Sequence, residues 1–168
     1  MQKLSRDRQA ASRRLTSRAL GKGNGVLVMS AKDTIKGSVG SIKEKASQKI
    51  LIIEDNLDSR DLLSKLLRLS GFQVSVAADG ETGYVAAVDD RPDLIITDVN
   101  MPKTDGIEFV RRARFDQALS KIPIVVVTAF GPGVAKAARE AGANDAVDKP
   151  FDFDQFLVTI RSLLKTAA

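Results

Sequence analysis

The sequence contains no cysteine, no histidine and no tryptophan. Without cysteine there can be no disulfide, no thiolate metal site and no cysteine nucleophile. Without histidine, imidazole acid–base catalysis, a Ser-His-Asp triad and almost any zinc centre are excluded. No apolar run approaches the roughly 18 residues that a membrane-spanning helix needs. Whatever chemistry the chain performs must rest on carboxylates, lysine, hydroxyls and a hard cation.

Acidic residues are nearly missing from one part of the chain. Residues 1–49 hold twelve Lys/Arg but only Asp7, Asp33 and Glu44 as acids, a charge of +9, whereas residues 50–168 carry −4. The pI near 9.6 is therefore a property of the first 49 residues. Apolar residues are sparse there, and Gly21, Gly23, Gly25, Gly37 and Gly40 break any helical period. Too little apolar surface is available to offset the entropy of ordering. Residues 1–48 are read as a disordered basic extension and residues 49–168 as the globular domain. Val26-Leu27-Val28-Met29 is too short for a signal-peptide core of about 7–15 residues. The opening twenty residues share the Arg- and Ser-rich composition of an organelle transit peptide, and Met29 offers an alternative start. Both readings stay open. Gly21-x-Gly23-x-Gly25 follows no strand and lacks the Lys-Ser/Thr pair of a phosphate loop, so it is linker. A one-signed arm can also meet nucleic acid or an anionic surface, with salt-dependent affinity. It has no aromatic residue, and so lacks the stacking platforms of single-strand binders.

From residue 49 the pattern becomes regular. Lys49–Ile53, Val74–Ala77, Leu94–Thr97, Ile124–Val127 and Asp145–Val147 read as short strands, three of them continuous apolar runs suited to burial on both faces. Between and after them lie helical stretches: 58–70 with leucines 62, 63, 66, 67 and 69, then 80–89, a helix from Gly106, 133–141, and 152–165. Asp58 and Asp105 are expected as N-caps, and Gly71 and Gly142 as C-terminal glycines. Alternating strands and helices predict a doubly wound α/β fold, a five-stranded parallel sheet of order 2-1-3-4-5 (flavodoxin-like).

The strands end in residues of one chemical kind: Glu54-Asp55, Asp98, Thr128 and Lys149. In open α/β sheets, ligands bind outside the carboxyl ends of the strands. Three carboxylates in one cleft repel each other unless a cation lies among them, and an all-oxygen set favours Mg²⁺ over zinc or copper. A lysine and a hydroxyl beside such a cluster can hold the oxygens of a transferring phosphoryl group. A central carboxylate can serve as the nucleophile, forming an acyl phosphate. Taken alone, Glu54-Asp55 could simply open a turn; as part of an ordered set it converges on one cleft. A phosphatase of the Asp-x-Asp type is disfavoured, because Asp98-Val99-Asn100 lacks the second acid.

Lys49 to Asn56 (KILIIEDN), Asp98 to Gly106 (DVNMPKTDG), Thr128-Ala129 and Lys149-Pro150-Phe151 together resemble the response-regulator receiver domain of two-component signalling, over about residues 49–165. The resemblance implies that Asp98 is the phosphoacceptor. It implies Mg²⁺ held by Glu54, Asp55, Asp98 and the main-chain carbonyl of Asn100. Thr128 and Lys149 would bind phosphoryl oxygens, and Lys149-Pro150 would be cis. The expected role is a stand-alone, cytoplasmic response regulator, because the final helix takes up most of the chain after Lys149. It would be a self-modifying phosphoacceptor and not an enzyme acting on other molecules. A sensor histidine kinase or histidine phosphotransfer protein would supply the phosphoryl group. Output would run through a downstream partner on the face of the last two helices, or by onward phosphotransfer. Two positions stand out. Receivers usually carry Tyr or Phe three residues before the lysine, as a ring that follows the hydroxyl; here that residue is Ala146. Phe130, two past Thr128, is expected to restrict the attacking water.

Overall fold

The computed structural model describes residues 47–101, 105–129 and 131–167. The expectations for the extension up to residue 46 and for Phe130 fall outside them. Ten elements alternate in strict order: β1 (Lys49–Ile53), α1 (Leu57–Leu69), β2 (Gln73–Ala77), α2 (Gly80–Asp90), β3 (Leu94–Asp98), α3 (Gly106–Phe115), β4 (Ile124–Thr128), α4 (Pro132–Glu140), β5 (Asp145–Asp148) and α5 (Phe153–Thr166). All neighbouring strands pair in parallel, in the order β2-β1-β3-β4-β5. The expected topology is therefore present.

Strand alternation divides the core. Leu51, Ile53, Ile95, Ile124 and Val126 point to one face, where they meet Ala87 of α2, Phe109 and Val110 of α3, and Ala135 and Ala138 of α4. Ile50, Ile52, Ile96, Val125 and Val127 point to the other, against Leu67 of α1 and Phe156, Ile160 and Leu164 of α5. With a helix layer on each side, the central strands can be apolar at every position.

Four helices open with a side-chain cap: Asn56, Asp79, Asp105 and Asp152 accept the N–H groups of Ser59, Thr82, Ile107 and Gln155. The cap of α1 is thus Asn56 and not Asp58. The helix begins one residue earlier, and Asp58 sits in its first turn, where a negative charge still suits the helix dipole. The apolar face of α1 also departs from expectation. Leu62 and Leu69 are 61% and 78% exposed, while Ser64 and Leu67 are buried. At 100° per residue the leucines spread too widely for one contact face, and Leu62 and Leu69 lie opposite Leu67. Gly71 and Gly142 adopt the left-handed backbone (φ +96° and +109°) that follows a helix end. No helix among the described residues is long and apolar enough to cross a membrane.

Candidate functional site

The parallel sheet carries the ends of β1, β3, β4 and β5 to one edge. Glu54 continues the line of β1, its N–H donating to the Ala77 carbonyl at 3.1 Å. Its side chain is buried, and one oxygen also accepts the Asn56 N–H at 3.2 Å. Asp98 ends β3. Oxygens of Glu54, Asp55 and Asp98 lie within 4.8 Å of one another, with Asp55 exposed. The cis Lys149-Pro150 peptide follows β5, and the Lys149 ammonium donates to Glu54 Oε2 and to Asp98 Oδ2, each at 2.8 Å. Thr128 is fully buried at the end of β4, where its carbonyl accepts the Lys149 N–H at 2.6 Å. Asn100 is exposed, with its N–H 3.3 Å from Asp98 Oδ1. The fold therefore clusters the side chains of Glu54, Asp55, Asp98 and Lys149 and places Asn100 and Thr128 at the same sheet edge.

Three carboxylates compensated by one lysine leave the cleft negative. Burial pushes the Glu54 carboxyl above its ordinary range; the Lys149 hydrogen bond opposes that shift and the charge of Asp98 reinforces it. Burial alone would lower Lys149, but its hydrogen bonds to Asp98 and Glu54 outweigh this and raise it, so the ammonium stays charged. An all-oxygen cluster with excess negative charge fits a hard divalent cation such as Mg²⁺.

Two further residues shape the cleft. Arg60, one turn into α1, donates to the carbonyls of Glu54 (2.8 Å) and Asp55 (3.4 Å), holding the turn that carries both acids. An arginine among surface charges gives no periodic signal in a sequence. Gly106 leaves no room for a side chain: a Cβ there would lie 2.0 Å from the Asp98 carbonyl oxygen and 3.0 Å from Val99 Cα. Its N–H donates to the Val99 carbonyl at 3.0 Å, so the start of α3 rests directly on the backbone behind Asp98. Its sequence signals are a glycine directly after an expected N-cap and the close of the Asp98–Gly106 stretch. Gly106→Ala is expected to destabilise the protein by about 3 kcal/mol and to slow phosphorylation by displacing Asp98. Urea unfolding tests this, and an unchanged midpoint would contradict the packing described.

Residues 50–161 match the model of the response regulator receiver domain. The chain is 39% identical over 118 residues to the DNA-binding dual master transcriptional regulator RpaA of Synechocystis sp., a match covering 70% of this chain and 49% of that protein. It thus spans about half the length of that relative. It is 37% identical over 125 residues to a probable chemotaxis protein CheY of Rhizobium etli, covering 73% of this chain and 95% of the other. Among solved structures, it resembles the receiver domain of sensor histidine kinase PA1611 from Pseudomonas aeruginosa PAO1, which has a magnesium ion coordinated in its active-site cleft. The TM-score is 0.67 at 30% identity, covering 71% of this chain and 99% of that one. Domains of this kind are phosphorylatable and bind Mg²⁺ in an acidic cleft. The doubly wound sheet, the acidic cleft and the match across nearly all of the globular part lead to one assignment: the chain belongs to the response regulator receiver domain family.

Proposed function

We propose that Asp98 accepts a phosphoryl group from a phosphohistidine of a sensor histidine kinase or histidine phosphotransfer protein. The observation that carries this reading is the Lys149 ammonium held between Glu54 and Asp98 beside Asp55. Asp98 attacks the phosphorus as its P–N bond to the donor imidazole breaks, leaving an acyl phosphate on the carboxylate. Lys149 turns its ammonium to one phosphoryl oxygen, and the Thr128 hydroxyl donates to another. Glu54, Asp55, Asp98 and the main-chain carbonyl of Asn100 would hold Mg²⁺, which when bound neutralises charge on the phosphoryl oxygens. The chain modifies itself and is not an enzyme acting on other substrates.

The docking of a donor is supported by a cleft of about 330 Å³ that Asp98 and Lys149 line together with Leu62, Leu63, Leu66 and Phe153. Output is assigned to a protein partner on α4, β5 and α5, where Val158 is exposed, or to onward phosphotransfer, in a stand-alone cytoplasmic regulator. The +9 charge of residues 1–49 supports a second contact, with a polyanion. A gel shift with nucleic acid should then weaken steeply with salt and vanish on deleting residues 1–28.

With Mg²⁺ and a small phosphodonor, the protein should gain one acid-stable, hydroxylamine-labile phosphoryl group, mapped by mass spectrometry to Asp98. Labelling elsewhere, or none, overturns the reading.

A further inference from the structure

We propose that Arg60 and Thr97 are positioning residues for the metal site: by holding the main-chain carbonyls of Glu54, Asp55 and Asp98, they keep the acid-bearing ends of β1 and β3 close enough to share one divalent cation. The proposal rests on the reading of the acidic cluster as the Mg²⁺ site of phosphorylation and adds which side chains, outside the ligand set, govern its affinity.

The acids stand where the sheet stops restraining them. The last β1–β3 pair is Ile53 with Thr97, and Glu54, Asp55 and Asp98 follow directly on it. Their carboxylate oxygens lie within 4.8 Å of one another. Like charges at that separation push the two strand ends apart. The Lys149 ammonium offsets this at Glu54 and Asp98, but the β1–β3 ladder no longer does.

Side-chain donors take over from the ladder. On the β1 side, the Arg60 guanidinium reaches back to the carbonyls of Glu54 (2.8 Å) and Asp55 (3.4 Å). The Arg60 N–H donates to the Asn56 carbonyl at 3.0 Å. Main chain and side chain of one residue thus close the turn at Glu54, Asp55 and Asn56 from both ends, and the bond to Glu54 is charge-assisted. On the β3 side, Thr97 is fully buried. A valine would fill its place in the core as well, so packing does not account for the hydroxyl. It donates to the Asp98 carbonyl at 3.0 Å. This is the oxygen that Gly106 approaches so closely that a Cβ there would lie 2.0 Å away. Bonded by a hydroxyl and covered by the first residue of α3, the Asp98 peptide cannot turn, and the root of its carboxylate is fixed.

Arg114 and Arg139 also donate to main-chain carbonyls, those of Gly142 and Ala146, but neither residue supplies a ligand to the cluster. Arg60 and Thr97 differ in holding the peptides that carry the acids. Where those peptides are held beforehand, the repulsion is overcome in folding, and the cation meets a formed cluster. Where they are free, the strand ends spread and the cation must draw them together. Groups that orient metal ligands from behind are worth about 10- to 100-fold in affinity.

The test is calorimetric Mg²⁺ titration of the unphosphorylated full chain, with thermal unfolding in the absence of metal. Thr97→Val keeps the β-branch and loses the hydroxyl. It should bind Mg²⁺ about tenfold more weakly while melting within about 4 °C of the wild type. Thr97→Ser retains the hydroxyl and should bind within about twofold of the wild type. Arg60→Lys keeps the charge and loses the planar fork, and should also bind about tenfold more weakly. With a small phosphodonor, Thr97→Val and Arg60→Lys should raise the Mg²⁺ concentration for half-maximal rate by the same factor, and change the rate at saturating Mg²⁺ far less. Wild-type affinity in Thr97→Val or Arg60→Lys overturns the role of that residue, and equal weakening in Thr97→Ser and Thr97→Val overturns the part given to the hydroxyl. Mg²⁺ binding without a label on Asp98 overturns the phosphoacceptor reading and leaves the positioning in place. A wild-type chain that binds no Mg²⁺ overturns both.

Discussion

Asp98→Ala is expected to take up no phosphoryl group from any donor while melting no lower than the wild type. The first half follows from chemistry. Neither neighbouring acid can substitute, because Glu54 and Asp55 project from a different strand end and serve as the other side of the cluster. The second half follows from charge. Glu54, Asp55 and Asp98 crowd their oxygens within 4.8 Å with only Lys149 to compensate. Removing Asp98 relieves that repulsion and leaves the Lys149–Glu54 pair in place, so the loss of its two hydrogen bonds, from Lys149 and from the Asn100 N–H, about 2 kcal/mol in all, is offset. Asp55→Ala should retain the acceptor and lose rate, through a weaker metal site. Phosphorylation is read by intact mass and stability by thermal unfolding. Wild-type labelling of Asp98→Ala would overturn the phosphoacceptor assignment. A large fall in its melting temperature would show that Asp98 serves the fold as well as the chemistry.

The fold was legible because β1, β3 and β4 are nearly uninterrupted apolar runs closed by a polar residue, and because Asp105 and Gly142 punctuate their helices as expected. The site was legible for a related reason: its six residues stand at strand ends, which a parallel sheet must gather at one edge. What escaped the sequence depends on side chains that meet across elements. Six leucines on α1 did not reveal which of them face outward, because that phase is set by the sheet beneath. Asn56 competed with Asp58 for the cap, and both are good cap residues. Gly106 is required by its close approach to the Asp98 carbonyl, a contact between two elements. Arg60, Arg114 and Arg139 act on main-chain carbonyls, and such bonds leave no periodic trace.

Lys149→Met should separate two properties that the wild type combines, raising the affinity for Mg²⁺ while lowering the rate of phosphorylation. The ammonium sits 2.8 Å from a carboxylate oxygen of Glu54 and of Asp98 and is the only cation paired with either carboxylate among the described residues. A divalent ion entering the cluster meets that positive charge and competes with it for the same oxygens. Taking the lysine away removes the repulsion, which at these distances and an intermediate dielectric is worth about 1–2 kcal/mol, or roughly tenfold in affinity. It also leaves Glu54 and Asp98 facing each other uncompensated, at a cost of about 3 kcal/mol without metal. Saturating Mg²⁺ should restore much of that stability by linkage. The transferring phosphoryl group, however, loses the ammonium that would pair with its oxygen. A comparable preorganised donor is worth about 100- to 1,000-fold in rate, and a similar loss is expected with metal saturating. Calorimetric Mg²⁺ titration, thermal unfolding with and without Mg²⁺, and phosphorylation kinetics at saturating Mg²⁺ read the three effects separately. If Lys149→Met bound Mg²⁺ more weakly than the wild type, the ammonium would be organising the metal site and not competing with it. If its phosphorylation rate were unchanged, the lysine would belong to the resting ion pair alone, and the phosphoryl group would depend on Thr128 and the metal.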